Sequence, residues 1–339
     1  MYAERVIVSA SDIKQRAELL ASRGLSVPGG ESVIIGLFDD ERLVATGSLV
    51  GNILEGFAVR EELEGQGLTS ELLSVLLQYA ADSDIWRLFL FTKPKEASRF
   101  ADLGFSLVAK TEGSALLEWG SPKIENFLDG ITRRARSKDA SCVVVNCNPF
   151  TLGHQYLIKT AASALKEDES LYIIVIEDPA GQNAKRGFPF DVRFRLVKEG
   201  VTECLGEKLM DKVVILSGGE YVISAATFPS YFTRVEEFAS VHAALDLEIF
   251  ARRIAPALSI TKRFVGSEPF SAVTNIYNET MKRVLPGYGV SVEELERLEV
   301  SGMPVSASRV RALLAEGKIE LARELVPPTT WRYIASLGG

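Results

Sequence analysis

Cysteine and histidine are scarce: the 339 residues hold three Cys and two His. Cys142, Cys147 and Cys204 are too few for a disulfide framework, and no two stand in C-x-x-C spacing. Two histidines without such a pair give no zinc-ligand pattern, so no protein-held metal is expected. No apolar run reaches the roughly 18 residues that a membrane span needs. The opening MYAERVIVSASDIKQ lacks a basic segment followed by an apolar stretch, so no secretory signal is read. These absences point to a cytoplasmic protein with reduced thiols. Internal repeats and low-complexity tracts are missing too.

What is present is globular in kind. Hydrophobic residues make up 47% and charged residues 24%, which excludes wholesale disorder. The length suggests about two domains. The formal charge of −7 is unevenly spread: residues 1–130 carry 12 Lys and Arg against 20 Asp and Glu, and the rest carry 26 against 25. A nucleic-acid surface wants excess basic charge, so that class is disfavoured. A local Arg or Lys site for a polyphosphate stays open.

The pattern predicts alternating strands and helices. In the first part, strands are expected at 6–8, 31–38, 43–50, 56–60 and 87–92, with a closing hairpin at 106–109 and 115–119. Helices are expected at 11–23, 67–81 and 96–103. Ser11 or Asp12 would cap the first, and Gly24 would stop it. Leu68, Leu72, Leu73, Leu76 and Tyr79 give the second a helical apolar face. A helix over 124–136 ends in Arg133-Arg134-Ala135-Arg136, a solvated face at a negative dipole end. It reads as the linker. Beyond it, continuous apolar strands at 142–147 and 171–176 are of the buried parallel type. Strands at 213–216 and 263–265 follow, with helices at 152–165, 193–204, 243–255, 274–285, 308–316 and 330–337. That alternation describes a doubly wound parallel sheet. The expected division is 1–120, a linker at 121–138, and 139–339.

The strongest chemical signal is Asn146-Cys147-Asn148-Pro149-Phe150-Thr151-Leu152-Gly153-His154. It stands where the first parallel strand ends and a helix begins. Ligands of open α/β sheets bind there. A helix N-terminus offers free N–H groups and a positive dipole end to phosphate. Gly153 permits close backbone approach. Far downstream, Val305-Ser306-Ala307-Ser308-Arg309-Val310-Arg311 opens another helix with hydroxyls and an arginine. Between them, Phe264-Val265-Gly266-Ser267-Glu268-Pro269-Phe270 ends a strand, and Gly266 and Glu268 are candidate adenosine contacts. Tyr277 and Asn278 are candidate lining residues. In the first part, the stretch Val59 to Thr69 follows a strand and opens a helix, with Gly65 and Gly67 in its turn. His242 reads as a helix-start or surface residue. Cys142 and Cys147 read as strand packing. Cys147 adjoins the phosphate motif, so its alkylation is expected to block nucleotide.

These motifs carry a resemblance. T-x-G-H at Thr151–His154 is similar to the H-x-G-H signature of the nucleotidyltransferase superfamily, and V-S-A-S-R-V-R resembles its I-S-S-T-x-x-R signature. Val305 replaces Ile, Ala307 replaces the second Ser, and Ser308 replaces Thr. The Val59–Thr69 stretch resembles the Q/R-x-x-G-x-G/A diphosphate loop of the GNAT fold, with Glu62 where Gln or Arg is expected. Ala101-Asp102-Leu103-Gly104-Phe105 is GNAT-like as well. A GNAT-like α/β domain followed by a Rossmann-like nucleotidyltransferase domain, with N-P-F-T-L-G-H, V-G-S-E-P-F, I-Y-N-E-T-M and P-V-S-A-S-R-V-R in order, resembles the citrate lyase ligase family over essentially the whole chain.

The resemblance implies an ATP-dependent, AMP-forming acid–thiol ligase. Such an enzyme activates acetate as acetyl-AMP. It then acetylates the thiol of the phosphoribosyl-dephospho-CoA group on the acyl carrier subunit of citrate lyase. It implies ATP and Mg²⁺ as cofactors. It implies His154 and Arg311 as catalytic residues. It implies Asn148, Pro149, Phe150, Thr151, Gly153, His154, Gly266, Glu268, Ser306, Ser308 and Arg311 for ATP. It implies Val59, Gly65, Gly67, Leu68 and Thr69 for a CoA-like arm. Two other readings remain at this stage: an adenylyltransferase acting on a phosphopantetheine-like acceptor, and a non-catalytic sensor of acyl-CoA.

Overall fold

The computed structural model describes residues 2–25, 27–177, 187–224, 226–227, 235–268 and 271–337. The chain packs as two units, Met1–Asn126 with Ala225–Leu245, and Phe127–Ser224 with Asp246–Gly339. The sequence places the division at 121–138 and runs the second domain unbroken from 139. Here the division falls inside the linker helix, and a later segment returns to the first unit. Packing explains the return: the His242 ring meets Phe91 edge-on at 5.3 Å. A Cβ on Gly113 would touch Val241 at 3.4 Å.

The first unit comprises β1 (Ala3–Val6), α1 (Ala10–Ser22), β2 (Val33–Asp39), β3 (Arg42–Val50), β4 (Ile53–Val59), α2 (Leu68–Asp82), β5 (Arg87–Thr92), α3 (Ala97–Ala101), β6 (Ser106–Lys110) and β7 (Ala115–Gly120). Ser9, not Ser11 or Asp12, caps α1, its Oγ accepting from Asp12 N at 3.1 Å. Gly24 follows at φ +69, as a stop residue should. The predicted face of α2 is buried, with Leu68, Leu72, Leu73 and Leu76 at 3% exposure or less. The sheet order is β1-β2-β3-β4-β5-β7-β6. Among the described strands of this sheet only β4 and β5 run parallel, and they share two register pairs, Ile53↔Phe89 and Leu54↔Leu90. Past those pairs no ladder joins them, and a cavity occupies the gap.

The second unit takes the end of α4 (Ile124–Thr132), then β8 (Ala140–Val145), α5 (Leu152–Ser163), β9 (Ser170–Val175), α6 (Phe190–Leu205), α7 (Glu207–Met210) and β10 (Val213–Ser217). Helix α8 (Val235–Ile249) leads through a π-helical turn, Phe250–Ile254, into α9 (Ala255–Leu258). There follow β11 (Ile260–Gly266), α10 (Ala272–Val284), β12 (Ser291–Leu295), β13 (Glu299–Val300), β14 (Met303–Pro304), α11 (Ala307–Ala315), α12 (Ile319–Ala322) and α13 (Pro328–Ser336). The main sheet, β10-β9-β8-β11-β12, is parallel throughout. Strand order reverses between β8 and β11, the switch point where open sheets bind ligands.

Three expectations need correction. Helix α4 stops at Thr132, and the Arg136 backbone N–H instead donates to Tyr172 Oη at 2.9 Å. Strand β12 gives no sequence signal because Ser-Val-Glu-Glu-Leu is an edge strand without an apolar run. The β13–β14 hairpin is a further addition; its turn, Ser301-Gly302, has both φ positive, +57 and +70.

Candidate active site

Two helix starts meet above the sheet of the second unit. The first follows β8. Thr151 caps α5, accepting from His154 N, while Thr151 N–H donates to His154 Nδ1 at 3.1 Å. The Thr151 hydroxyl also lies 2.8 Å from Nδ1. Because Nδ1 accepts, the neutral ring carries its proton on Nε2. Burial, reinforced by the Arg297 charge, pushes the His154 pKa down to about 4. At neutral pH His154 is therefore an uncharged donor.

The second start follows β14. Ser306 caps α11, accepting from Arg309 N at 3.2 Å, and Ser308 Oγ sits 3.3 Å from Ser306 Oγ. The first turns of α5 and α11 each leave backbone N–H groups without intrahelical acceptors. Glycine brings the two together. A Cβ on Gly153 would stand 3.1 Å from the Val305 carbonyl oxygen. Arg311 Nη1 donates to the Asn148 carbonyl oxygen. Partial burial lowers the Arg311 pKa from its ordinary value.

Not every candidate presents itself to a ligand. Phe150 is fully buried and stacks on His154, with ring centroids 6.0 Å apart. It supports the ring from below. Asn148 is buried, and its Oδ1 accepts from Phe188 N at 2.8 Å. Pro149, buried beside it, continues the turn. Gly266 ends β11 with open space where a Cβ would be, and its carbonyl accepts from Asn278 Nδ2 at 3.1 Å. Glu268 is paired with Arg297 and accepts from Ser271 N at 3.2 Å. Pro269 and Phe270 lie outside the described residues. Tyr277 is buried in a packing network, its hydroxyl donating to Asp246 and accepting from Arg263 at 3.3 Å. Cys147 is fully buried, and burial pushes its thiol far above the ordinary range, so the native fold shields it from the alkylation considered for it. His242 is also corrected: it lies within α8, 5% exposed, and burial lowers its pKa to about 4.

Two arginines escaped the sequence reading. Arg193 on α6 is buried and donates to the carbonyl oxygens of Asn146 at 2.6 Å and Ile176 at 2.9 Å. It ties the ends of β8 and β9 together. Arg297 Nε donates to the Ser267 carbonyl at 2.6 Å, and its charge acts on His154. The only sequence hint for Arg193 is a cation on a helix rich in Phe. Arg297 had none, because β12 before it was not read.

The first unit holds its own cavity of about 380 Å³. Val59, Gly65, Leu68 and Thr69 line it, together with Phe57, Leu90 and Phe100. Gly67 is the N-cap of α2 at φ +85, with open space around it. The acidic loop beside it is neutralised locally. Arg23 pairs with Glu64 and reaches Glu61 at 3.8 Å, and Arg42 meets Glu62 at 2.7 Å. Among the described residues no helix is long and apolar enough to cross a membrane.

Comparison with known proteins identifies relatives of both units. A family profile described as citrate lyase ligase C-terminal domain matches residues 140–334, and one described as acetyltransferase (GNAT) family matches 10–105. The "[Citrate [pro-3S]-lyase] ligase" of Klebsiella pneumoniae is 37% identical over 88% of this chain and 85% of its own. The protein of the same name from Escherichia coli (strain K12) is 34% identical over 97% of this chain and 93% of its own. That of Haemophilus influenzae is 32% identical over 91% and 90%. The chain, an enzyme with a GNAT-like unit and a parallel-sheet unit, belongs to the citrate lyase ligase family.

Proposed function

We propose that the second unit activates acetate with ATP as acetyl-AMP, and that the acetyl group then passes to the prosthetic-group thiol of the citrate lyase acyl carrier subunit. The observation carrying this reading is the junction of the two helix starts, held by the Gly153–Val305 approach and the Arg311–Asn148 bond. Two sets of free N–H groups converging beside an arginine suit a triphosphate. An acetate oxygen would attack the α-phosphorus, and diphosphate would leave. This chemistry depends on positioning and charge stabilisation.

His154 Nε2–H would donate to an oxygen of the α- or β-phosphate as negative charge grows on it. A neutral donor suits this role, since its proton stays in place across the working pH range. Ser306, Ser308 and the first turn of α11 would hold the outer phosphates, and Arg311 would offset the charge of the departing diphosphate. Gly266 leaves room for the nucleoside beside β11. Among the described residues no group of three or more His, Cys, Asp and Glu is placed to hold a metal ion. Mg²⁺ therefore enters as the companion of the triphosphate, and no step here passes through it. The first unit's cavity would hold the CoA-like arm of the carrier. Free, largely buried thiols suit a cytoplasmic setting.

The test is exchange of labelled diphosphate into ATP by the purified chain. The proposal expects exchange that requires acetate, followed by acetyl transfer to the holo-carrier with release of AMP. Exchange that needs a phosphopantetheine acceptor instead of acetate would indicate an adenylyltransferase. No exchange under any condition would indicate a sensor.

A further inference from the structure

A buried acid in the first unit has no visible structural task. Glu55 on β4 is 6% exposed and lines the 380 Å³ cavity, and its Oε2 has no hydrogen-bond partner. Buried polar atoms are almost always satisfied, so such an atom asks for an explanation. The backbone has been bent to place it. The β3–β4 register breaks between Thr46 and Ser48, and Gly56 next to Glu55 stands at φ +69. A Cβ there would meet Ser48 Oγ at 2.9 Å and Arg16 Nη2 at 3.1 Å. Bulges of this kind re-aim a neighbouring side chain.

Burial and the charges around Glu55 raise its affinity for a proton. Arg16 on α1 is the cation that acts on Glu55; its Nη1 donates to Glu31 at 2.9 Å and its Nη2 to Ser48 Oγ at 3.2 Å, and its buried Nε has no partner. One guanidinium thus faces two carboxyls in the core. Burial first, then the Glu31 charge, push the Glu55 pKa up to about 7, and Arg16 only partly opposes them. The remaining charged groups on the cavity wall are Arg23, Glu64, Lys93, Lys95, Glu96 and Arg99. Phe57, Leu90 and Phe100 supply apolar wall.

We propose that the Glu55 carboxyl recognises a pantetheine-type arm in this cavity by donating a hydrogen bond to one of the arm's amide carbonyl oxygens. This rests on the reading of the cavity as the site of the carrier's CoA-like arm. An uncharged acid among aromatic and aliphatic walls suits a chain of methylenes and amides. An ionised carboxylate there would repel a carbonyl oxygen. Glu55 is a specificity residue in this scheme, and no bond is made or broken at it.

The experiment measures the affinity of the full-length chain for dephospho-CoA by calorimetry, at about pH 6 and about pH 8, on either side of the Glu55 pKa. Binding that needs the protonated form weakens as that form is depleted, by about tenfold over this range. Glu55→Gln keeps a donor of nearly the same shape. It should bind like the wild type at the lower pH and lose the pH dependence. Glu55→Leu should bind at least about tenfold more weakly, the loss of a buried donor–acceptor pair. Thermal melts at both pH values check the fold, and Glu55→Gln decides the matter if Glu55→Leu does not fold. A wild-type pH slope retained in Glu55→Gln, or wild-type affinity in Glu55→Leu, overturns the role of Glu55 while leaving the cavity as the arm's site. Absence of dephospho-CoA binding in the wild type at both pH values overturns the cavity assignment and the role together.

Discussion

Arg311 Nη1 donates to the carbonyl oxygen of Asn148 across a separation of 163 residues. The bond fastens the start of α11 to the turn after β8, so in the proposed site one side chain would both hold the junction together and bring a cation to it. Arg311→Lys separates those tasks. Lysine keeps the charge but has no planar fork to reach a carbonyl and a phosphate at once. We expect kcat/KM for acetate-dependent ATP–diphosphate exchange to fall by roughly 10²-fold, the scale for losing one positioned electrostatic donor. Exchange kinetics within a few-fold of wild type would refute the double role.

Gly153 makes the same junction from the other side. A methyl group there would press on the Val305 carbonyl oxygen at 3.1 Å, and backbone cannot swing aside as a long side chain can. Gly153→Ala should therefore push α11 away from α5. The cost in stability should be about 1 kcal/mol, at the lower end of overpacking penalties. The cost in exchange should be larger, about tenfold or more, since small displacements of catalytic groups are expensive. Denaturant titration and exchange assays on one preparation compare the two. A stability loss with unchanged exchange would mean that the junction is structural only.

The parallel core of the second unit was legible because β8 and β9 are continuous apolar runs, and buried strands announce themselves that way. The helix starts of the two candidate phosphate turns are legible because T-x-G-H and S-x-S-R-V-R place a capping hydroxyl where residue type and local geometry are coupled. What stayed hidden was set by distant partners. Phe150 reads as part of a ligand motif, yet its ring is directed into the core beneath His154. His242 reads as a helix start, because nothing local tells that Phe91 waits to bury it. Arg193 and Arg297 act on backbone carbonyls contributed by other strands, and no spacing rule encodes such a pair. The return of Ala225–Leu245 to the first unit is hidden for the same reason.

The thiols give a prediction opposite to the one the sequence suggests. Cys147 adjoins the phosphate turn but is 0% exposed, and burial raises its pKa far beyond the thiolate range. Cys142 is equally buried, its pKa pushed up to about 12. Cys204 alone of the three is partly open. Brief iodoacetamide treatment of the native protein should label Cys204 first, leave Cys142 and Cys147 unmodified, and spare exchange activity. Peptide mapping reads the sites. Early labelling of Cys147 would contradict the burial, because a shielded thiol reacts only when the fold opens.

The two histidines differ in task but share a depressed pKa, and that separates catalysis from stability. Both fall to about 4 in the folded chain, against roughly 6.5 when unfolded. Between those values the unfolded chain binds more protons than the folded one. Stability is therefore complete above about pH 6.5 and is lost as pH falls toward about 4, on the order of 2 kcal/mol for a well-buried ring such as His242. His242→Leu should flatten the decline of melting temperature between about pH 7 and pH 5, with little change in exchange at neutral pH. His154→Ala removes an equally shifted ring, so it should flatten that decline as well, but its main effect should fall on exchange. It removes the Nε2–H donor, so kcat should drop roughly 10²–10³-fold with a smaller change in KM, the sign of an interaction made chiefly in the transition state. The activity left in His154→Ala should show no new acid limb above about pH 5, since the wild-type ring is already neutral there. A wild-type kcat in His154→Ala would remove His154 from the chemistry, and an unchanged acid sensitivity in His242→Leu would remove His242 from the linkage.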